Sequence, residues 1–438
     1  MTNFPKDFIW GCGASAYQTE GAWNEDGKGE SIWDRFAHTP GHMKTGDTGD
    51  VACDFYHRFR EDVAIMKELG LKSYRFSVSW PRIFPTGKGP LNQKGLDFYD
   101  RLVDEMLGAG IVPLPTMFHW ELPQALQEEG GWANRETAKH FADYCAAVAD
   151  RLGDRAKTWL VFNEPFIFTI AGHLLGALAP GIADSALALR TTHIVNIAQG
   201  LAVKAMRATG KVQAVSSAFN VQWVCPASDS EAARAAAERW HGFSNLWFLE
   251  PPLNGRYPDA CLNPDPERLG IQAGDMEIIK TPLDFIGVNV YMRNVIAANE
   301  SDPNLGARLV AVPDVEETDS GWEVYPEAIY HVIMRIWNDY RLPVYVTENG
   351  CAYNEGPVDG VVNDDRRISF LKQHITQVGR AIDDGADVRG YYHWSLTDNL
   401  EWTAGFSRRF GLVYVDFETQ QRIIKKSGYW YRDLIACK

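Results

Sequence analysis

Eight short runs rich in apolar and β-favouring residues punctuate this chain, at 8–15, 73–80, 112–120, 158–163, 214–220, 285–291, 344–348 and 388–394. Between them the apolar residues recur with a helical period instead. Phe55, Phe59, Val63, Met66 and Leu69 fall on one helical face, with Arg58, Arg60, Glu61 and Lys67 largely elsewhere. The same period predicts helices over 94–109, 136–152, 187–208, 231–249, 327–340, 366–383 and 428–436. Strand and helix alternating eight times, with strands that are apolar almost throughout, is what a closed parallel barrel buried under a ring of helices demands. The expected fold is therefore α/β, a single (β/α)8 barrel over residues 1–438, with 16–54, 296–324 and 395–427 as long βα loops. A doubly wound open sheet would leave about two strands too many for one nucleotide-binding domain.

Length alone would allow two or three domains of average size, but no Pro/Gly/Ser-rich linker interrupts the alternation. The net charge of −14 argues against nucleic acid or anionic lipid as a partner, since both require a basic face. The first residues show no basic start followed by an apolar run, and no stretch of about 20 apolar residues could span a bilayer. A cytoplasmic location with no membrane association is expected. Seven scattered cysteines without a CxxC pair suggest free thiols in packing roles, and eleven dispersed histidines without HExxH suggest no metal. No cofactor is implied.

The predicted strands end in polar or aromatic residues: Arg75 and Trp80, His119-Trp120, Asn163-Glu164, Asn289 and Tyr291, Glu348-Asn349, and His393-Trp394. In a (β/α)8 barrel the C-terminal strand ends converge on one mouth, so these residues meet there. Two carboxylates at such a mouth, Glu164 and Glu348, point to glycoside hydrolysis. If their carboxyl groups lie about 5 to 5.5 Å apart, one attacks the anomeric carbon while the other protonates the leaving oxygen, a retaining double displacement. Arg75 and Tyr291 near Glu348 would hold it ionised, and that negative charge would raise the pKa of Glu164 and keep it protonated. Arg75 itself, inside an apolar strand, needs an anionic partner.

Seven separate motifs, in order, resemble glycoside hydrolase family 1 from about residue 4 to the final helix. They are Phe4-Pro5 with Phe8-Ile9-Trp10-Gly11, the stretch from Ser15 to Ala22, that from Tyr74 to Trp80, His119-Trp120-Glu121-Leu122-Pro123, Asn163-Glu164-Pro165, Thr347-Glu348-Asn349-Gly350, and the stretch from Trp394 to Trp402. The resemblance implies a β-glucosidase acting on cellobiose, short β-gluco-oligosaccharides and aryl or alkyl β-glucosides, with β-galactosidase side activity. Glu164 is then the general acid/base and Glu348 the nucleophile, supported by Arg75, Asn289 and Tyr291. It implies further that Gln18, His119, Asn163, Glu401 and Trp402 hydrogen-bond the non-reducing-end sugar, with Asn163 on the 2-hydroxyl, and that Trp394 is the stacking floor. Trp120 is also favoured for sugar contact. Phe166, His173 and Trp322 are expected toward the aglycone entrance. The partner is thus a small-molecule β-glycoside, and homo-oligomer formation is left open.

Three features depart from the common pattern of that family: Glu121 where Asp is usual, Val290 beside the retained Tyr291, and His173 where Tyr is frequent. A branch of the family takes 6-phosphorylated sugars and typically carries Ser at the position of Glu401 and Tyr at that of Phe410, with a basic residue where Arg408 stands. Glu401 would repel a phosphate, so unphosphorylated substrates are favoured and a 6-phospho-β-glycosidase is the alternative. Arg408-Arg409 reads as a solvated pair. Two rival motifs need weighing. Glu348-Asn349-Gly350 alone would suit a hairpin turn. Gly11-Cys12-Gly13-Ala14-Ser15-Ala16 fits the GxGxxA fingerprint of an NAD-dependent oxidoreductase, but residues 17–29 form no apolar helix to present its N-terminus to a pyrophosphate.

Overall fold

The runs at 8–15 and 388–394 lie at opposite ends of the sequence, yet in the computed structural model, which describes residues 4–259 and 265–437, they are paired neighbours. They close a barrel of eight parallel strands: β1 (Ile9–Gly13), β2 (Ser73–Ser77), β3 (Val112–Phe118), β4 (Thr158–Asn163), β5 (Ala214–Asn220), β6 (Ile286–Asn289), β7 (Val344–Asn349) and β8 (Val388–Trp394). Each strand pairs with the next in sequence, and β8 returns to β1. Leu114, Leu160, Ala218 and Tyr392, from four different strands, form their own buried cluster in the barrel interior. The larger core lies between the barrel and its helices.

Helix starts are set by local chemistry. Asp184 Oδ1 accepts from the backbone N–H of Ala186 and Leu187 at 2.9 and 3.0 Å, so the helix Ser185–Ala208 begins two residues before its first predicted position. Ser230 caps Glu231–His241 in the same way. That helix stops at His241 rather than running to 249, because a π turn, Gly242–Leu246, follows it. Several apolar runs outlast their strands. Trp80 opens a four-residue helix, Trp80–Ile83, and His119-Trp120 lie past the end of β3, which lifts these residues onto the rim of the barrel.

The long loops contain structure that periodicity did not reveal. Residues 16–54 hold the helices Ala16–Thr19 and Ile32–His38, while Trp223–Pro226, Arg293–Ala298 and Ala307–Leu309 form a three-stranded sheet. A hairpin of Val413–Val415 and Arg422–Ile424 lies in the last loop.

The glycine-rich segment is β1 itself, followed by one helical turn, and no dinucleotide-binding helix follows it. Its glycines serve packing: a Cβ on Gly11 would stand 2.6 Å from the Tyr392 ring and 2.8 Å from Ser73 O. Gly350 is likewise no hairpin glycine, since a Cβ there would meet the Trp394 carbonyl at 2.0 Å. Cys12, Cys53, Cys145 and Cys351 are buried free thiols, Cys225 is half-buried and Cys437 exposed, while Cys261 lies outside the described residues. Among the described residues no helix is long and apolar enough to cross a membrane.

Candidate active site

At the C-terminal end of the barrel a cavity of about 720 Å³ opens between the βα loops, within the roughly 300–1,000 Å³ usual for small-molecule sites. Glu164 and Glu348 both line it. Glu348 belongs to β7, while Glu164 follows the last residue of β4 and starts the short helix Pro165–Thr169.

Two donors hold Glu348 from opposite sides. Arg75 Nη1 donates to Oε1, and the Tyr291 hydroxyl donates to Oε2 at 2.8 Å. Arg75 is fully buried, and its other N–H groups reach Thr116 Oγ1 at 3.2 Å, Thr347 O at 3.1 Å and Asn163 Oδ1 at 2.6 Å. The anionic partner that a buried guanidinium requires is thus Glu348.

Glu164 is placed differently. Among the described residues its donor is the neutral amide of Asn289, at 3.0 Å, and no cation bonds to it. Burial first, and the charge of Glu348 second, push its pKa up to about 8. Burial and a neighbouring carboxylate therefore favour the protonated form of Glu164.

The amide network also fixes a histidine. Asn163 Oδ1 accepts from both Arg75 and Asn289, so its Nδ2 is the donor toward His119 Nε2, 2.9 Å away. His119 must then carry its proton on Nδ1, which has no partner among the described residues. Burial and the nearby Arg75 hold the ring neutral by moving its pKa well below the usual value. Thr347 Oγ1 donates to Asn289 Oδ1 at 2.7 Å and fixes the orientation of that amide.

An aromatic wall stands beside this network. Trp120 and Trp402 stack with ring centres 4.2 Å apart, and His119 lies 5.6 Å from Trp394 and 5.8 Å from Trp402. The Trp120 indole N–H donates to Asn163 O at 3.0 Å. Glu401 also lines the cavity; its Oε2 has no partner among the described residues, and burial together with Glu348 raises its pKa to about 8. Trp120, Glu164 and Trp402 all have left-handed backbone, with φ of 81°, 46° and 44°.

The loop carrying Glu401 and Trp402 is anchored from below. Asp398 accepts from Lys425 Nζ at 2.7 Å, Arg409 Nη1 at 2.8 Å and the Gly411 N–H at 3.0 Å. Arg409 is therefore part of a buried ion cluster rather than half of a solvated pair. Arg408 alone lines the cavity.

Most of the expected residues meet here, with two differences. Gln18 is fully buried behind the rim: its amide donates to Leu400 O at 2.8 Å and Asn399 Oδ1 at 3.2 Å, and its oxygen accepts from Ser15. His173 is also buried, its Nδ1 facing Phe168 O at 3.3 Å, so Ile170, Leu174 and Leu175 line the cavity in its stead. Phe166 and Trp322 do line it. Further lining residues went unread: Asn220, Gln222, Trp240, Phe243 and Lys44. Asn220 ends β5 and could have been found by the polar strand-end rule that found Asn163. Trp240 sits near the end of the helix Glu231–His241, Phe243 in the π turn after it, and Gln222 and Lys44 on loops, none with a sequence signature.

A glutamate pair on one barrel mouth, with one carboxylate held by a guanidinium and a phenol and the other by a neutral amide, defines a glycoside hydrolase. The chain belongs to glycosyl hydrolase family 1, whose family model matches residues 1–438. It is 46% identical over 438 residues to β-glucosidase A of Acetivibrio thermocellus, covering 99% of this chain and 98% of that relative. Identity to the 1,4-β-D-glucan glucohydrolase of Thermotoga neapolitana is also 46%, over 99% of this chain and 98% of the relative. Among solved structures, a family 1 β-glucosidase from Thermotoga maritima superposes with a TM-score of 0.96 at 45% identity, covering 100% of this chain and 99% of that one.

Proposed function

We propose that the protein is a retaining β-glucosidase that releases terminal non-reducing β-D-glucosyl residues, with residues 1–438 acting as one catalytic domain. The observation that carries this reading is the opposed environment of the two glutamates: Glu348 clamped by Arg75 and Tyr291, Glu164 left to burial and a neutral amide.

In the first step a Glu348 oxygen attacks the anomeric carbon as the glycosidic C–O bond breaks, and Glu164 gives its proton to the departing oxygen. The sugar is left as an ester on Glu348. Esterification removes the negative charge that helps raise the Glu164 pKa, so Glu164 now takes a proton from water. The water oxygen attacks the anomeric carbon, the ester C–O bond breaks, and Glu348 returns as a carboxylate with the sugar released in its original β configuration.

Sugar recognition falls to groups with unused hydrogen-bonding capacity: His119 Nδ1–H, the second N–H of Asn163 and Glu401 Oε2. Trp394 and Trp402 supply apolar faces for the C–H side of a pyranose. In this reading Gln18 supports the loop of Glu401 through Leu400 O, or turns to the sugar when one binds. The carboxyl of Glu401 favours a free hydroxyl over a 6-phosphate, and side activity on β-galactosides follows from a hydrogen-bonding set that either epimer can use. Unpaired thiols suit a reducing, cytoplasmic setting.

Glucose release from cellobiose, and nitrophenol release from nitrophenyl β-D-glucoside, β-D-galactoside and 6-phospho-β-D-glucoside, test this assignment. Hydrolysis of the unphosphorylated substrates, with β-glucose appearing first by NMR, is expected. Preference for the phosphorylated sugar would overturn the role given to Glu401, and α-glucose as first product would overturn retention.

A further inference from the structure

We propose that a chamber behind the sugar-facing wall binds one internal water molecule, and that Glu121, which borders the chamber, is a positioning residue for Trp120. The water site stands on the fold alone; only its effect on turnover rests on the β-glucosidase reading above.

The chamber measures about 10 Å³ and lies where three βα loops meet. Asp34 reaches it from the helix Ile32–His38, Arg82 from the helix Trp80–Ile83, and Glu121 from the rim segment past the end of β3. The three residues are 1%, 1% and 3% exposed. Each uses part of its polar group within the protein. Asp34 Oδ2 accepts from the Ser31 N–H at 2.7 Å and from Ser31 Oγ and Lys28 Nζ at 2.8 Å. Arg82 Nε donates to Glu20 Oε2 at 2.9 Å, and the Ser79 hydroxyl donates to Glu121 Oε1 at 3.3 Å. The remaining part is unused: Asp34 Oδ1, Arg82 Nη1 and Glu121 Oε2 have no partner among the described residues. One buried polar atom left so is an uncommon and costly exception, and three around one chamber call for a shared ligand.

The chemistry of these atoms selects the ligand. A carboxylate oxygen accepts and a guanidinium nitrogen donates, so the ligand must do both. Charge argues against an ion. Lys28 is paired with Asp34 and Arg82 with Glu20, all four line the chamber, and the two pairs leave no net charge to neutralise. Burial raises the pKa of Glu121 to about 8, which favours its neutral form as well. A water molecule needs about 10–15 Å³ and two to four polar partners. The chamber supplies both.

The site reaches the sugar through the chain. Glu121 follows Trp120, whose backbone is held at φ 81°, whose ring stacks on Trp402, and whose indole N–H donates to Asn163 O. On the other side of Glu121, Leu122 O accepts from the Ile32 N–H at 2.8 Å. Tying the Glu121 side chain to Asp34 and Arg82 through one water therefore joins three loops and fixes the segment that presents Trp120.

A crystal structure that resolves waters, together with oxygen-17 magnetic relaxation dispersion to count long-lived internal waters, tests the site. Density for one water within about 3.2 Å of at least two of the three atoms is expected. A direct Asp34–Arg82 contact in its place, or no density there, overturns the proposal. Glu121→Gln retains a donor and an acceptor and should retain the water. Glu121→Leu should lower the count by one and raise KM for nitrophenyl glucoside roughly three- to tenfold over Glu121→Gln, with kcat moving less. Glu121→Met serves the same comparison if the leucine variant does not fold. KM does not depend on the folded fraction, so partial misfolding does not imitate the effect. An unchanged water count, or equal KM in the amide and apolar variants, overturns the role of Glu121. Failure of the parent protein to cleave any glucoside overturns the β-glucosidase reading and leaves the water site to be judged by the density.

Discussion

The Tyr291 hydroxyl donates to Glu348 Oε2 at 2.8 Å, on the carboxylate oxygen opposite the one that Arg75 holds. A phenol on a carboxylate is a charge-assisted bond, which typically contributes about 1.5–3 kcal/mol. Tyr291→Phe should therefore lower kcat/KM for nitrophenyl glucoside roughly 10- to 100-fold. An unchanged value would remove Tyr291 from the machinery around Glu348.

The pKa of Glu164, raised to about 8, has a sign that can be checked. The protonated form is the acid, so kcat/KM on an alkyl glucoside that needs protonation should hold on the acid side of pH 8 and fall about tenfold per unit above it. In Glu348→Gln the charge repulsion is lost but the larger effect, burial, stays. Carbon-13 NMR of the Glu164 carboxyl in that variant should report a pKa below 8 yet still above the ordinary 4.5. A value at or above 8 would mean that Glu348 does not govern Glu164.

Removing the nucleophile should be harsher than removing a helper. Glu348→Ala is expected to lose roughly four orders of magnitude in kcat. Azide entering the vacated space should then give an α-glucosyl azide, whereas with Glu164→Ala and a nitrophenyl substrate the product should be the β-azide. The reverse pairing of products would exchange the two roles.

Gly11→Ala probes a different property. A methyl 2.6 Å from the Tyr392 ring overpacks the barrel and should cost about 1–3 kcal/mol in urea unfolding. Stability equal to that of the parent would show that the Tyr392 ring gives way freely.

Asp398 offers a test of the anchor beneath Glu401. Asp398→Ala strands Lys425, whose pKa is already lowered to about 8 by burial, and should destabilise the protein by about 3–5 kcal/mol. The double variant Asp398→Ala/Lys425→Met should recover much of that loss. A double variant as unstable as the single one would place the stability of the loop elsewhere.

The barrel was legible because its strands are buried on both faces, which leaves long apolar runs that loops cannot imitate. Glu164 and Glu348 were legible for a related reason, a carboxylate closing such a run being costly unless used. What escaped the sequence has physical causes. Trp223–Pro226 and Arg293–Ala298 are mostly half-buried and pair across about 70 residues, so neither a clean alternation nor a local turn announces them. The π turn Ile170–Leu174 carries nearly the same apolar spacing as an α-helix, so the inward turn of His173 and the outward turn of Leu175 could not be told apart beforehand. Gln18 and Arg409 look like surface groups by composition, and only the tertiary partners Leu400 O and Asp398 reveal that one is buried and the other half-buried in an ion cluster.

Left-handed backbone at Trp120, Glu164 and Trp402 sets a limit on how this protein can be made sturdier. Side-chain-bearing residues in that region typically cost of order 1–3 kcal/mol each, and glycine would relieve the cost. Each of the three carries a side chain that the cavity needs, so relief comes only with loss of turnover. Selection for heat tolerance alone would drift toward glycine at these sites and return a hardier, idle barrel, whereas selection that also demands sugar release must find its gains elsewhere in the fold.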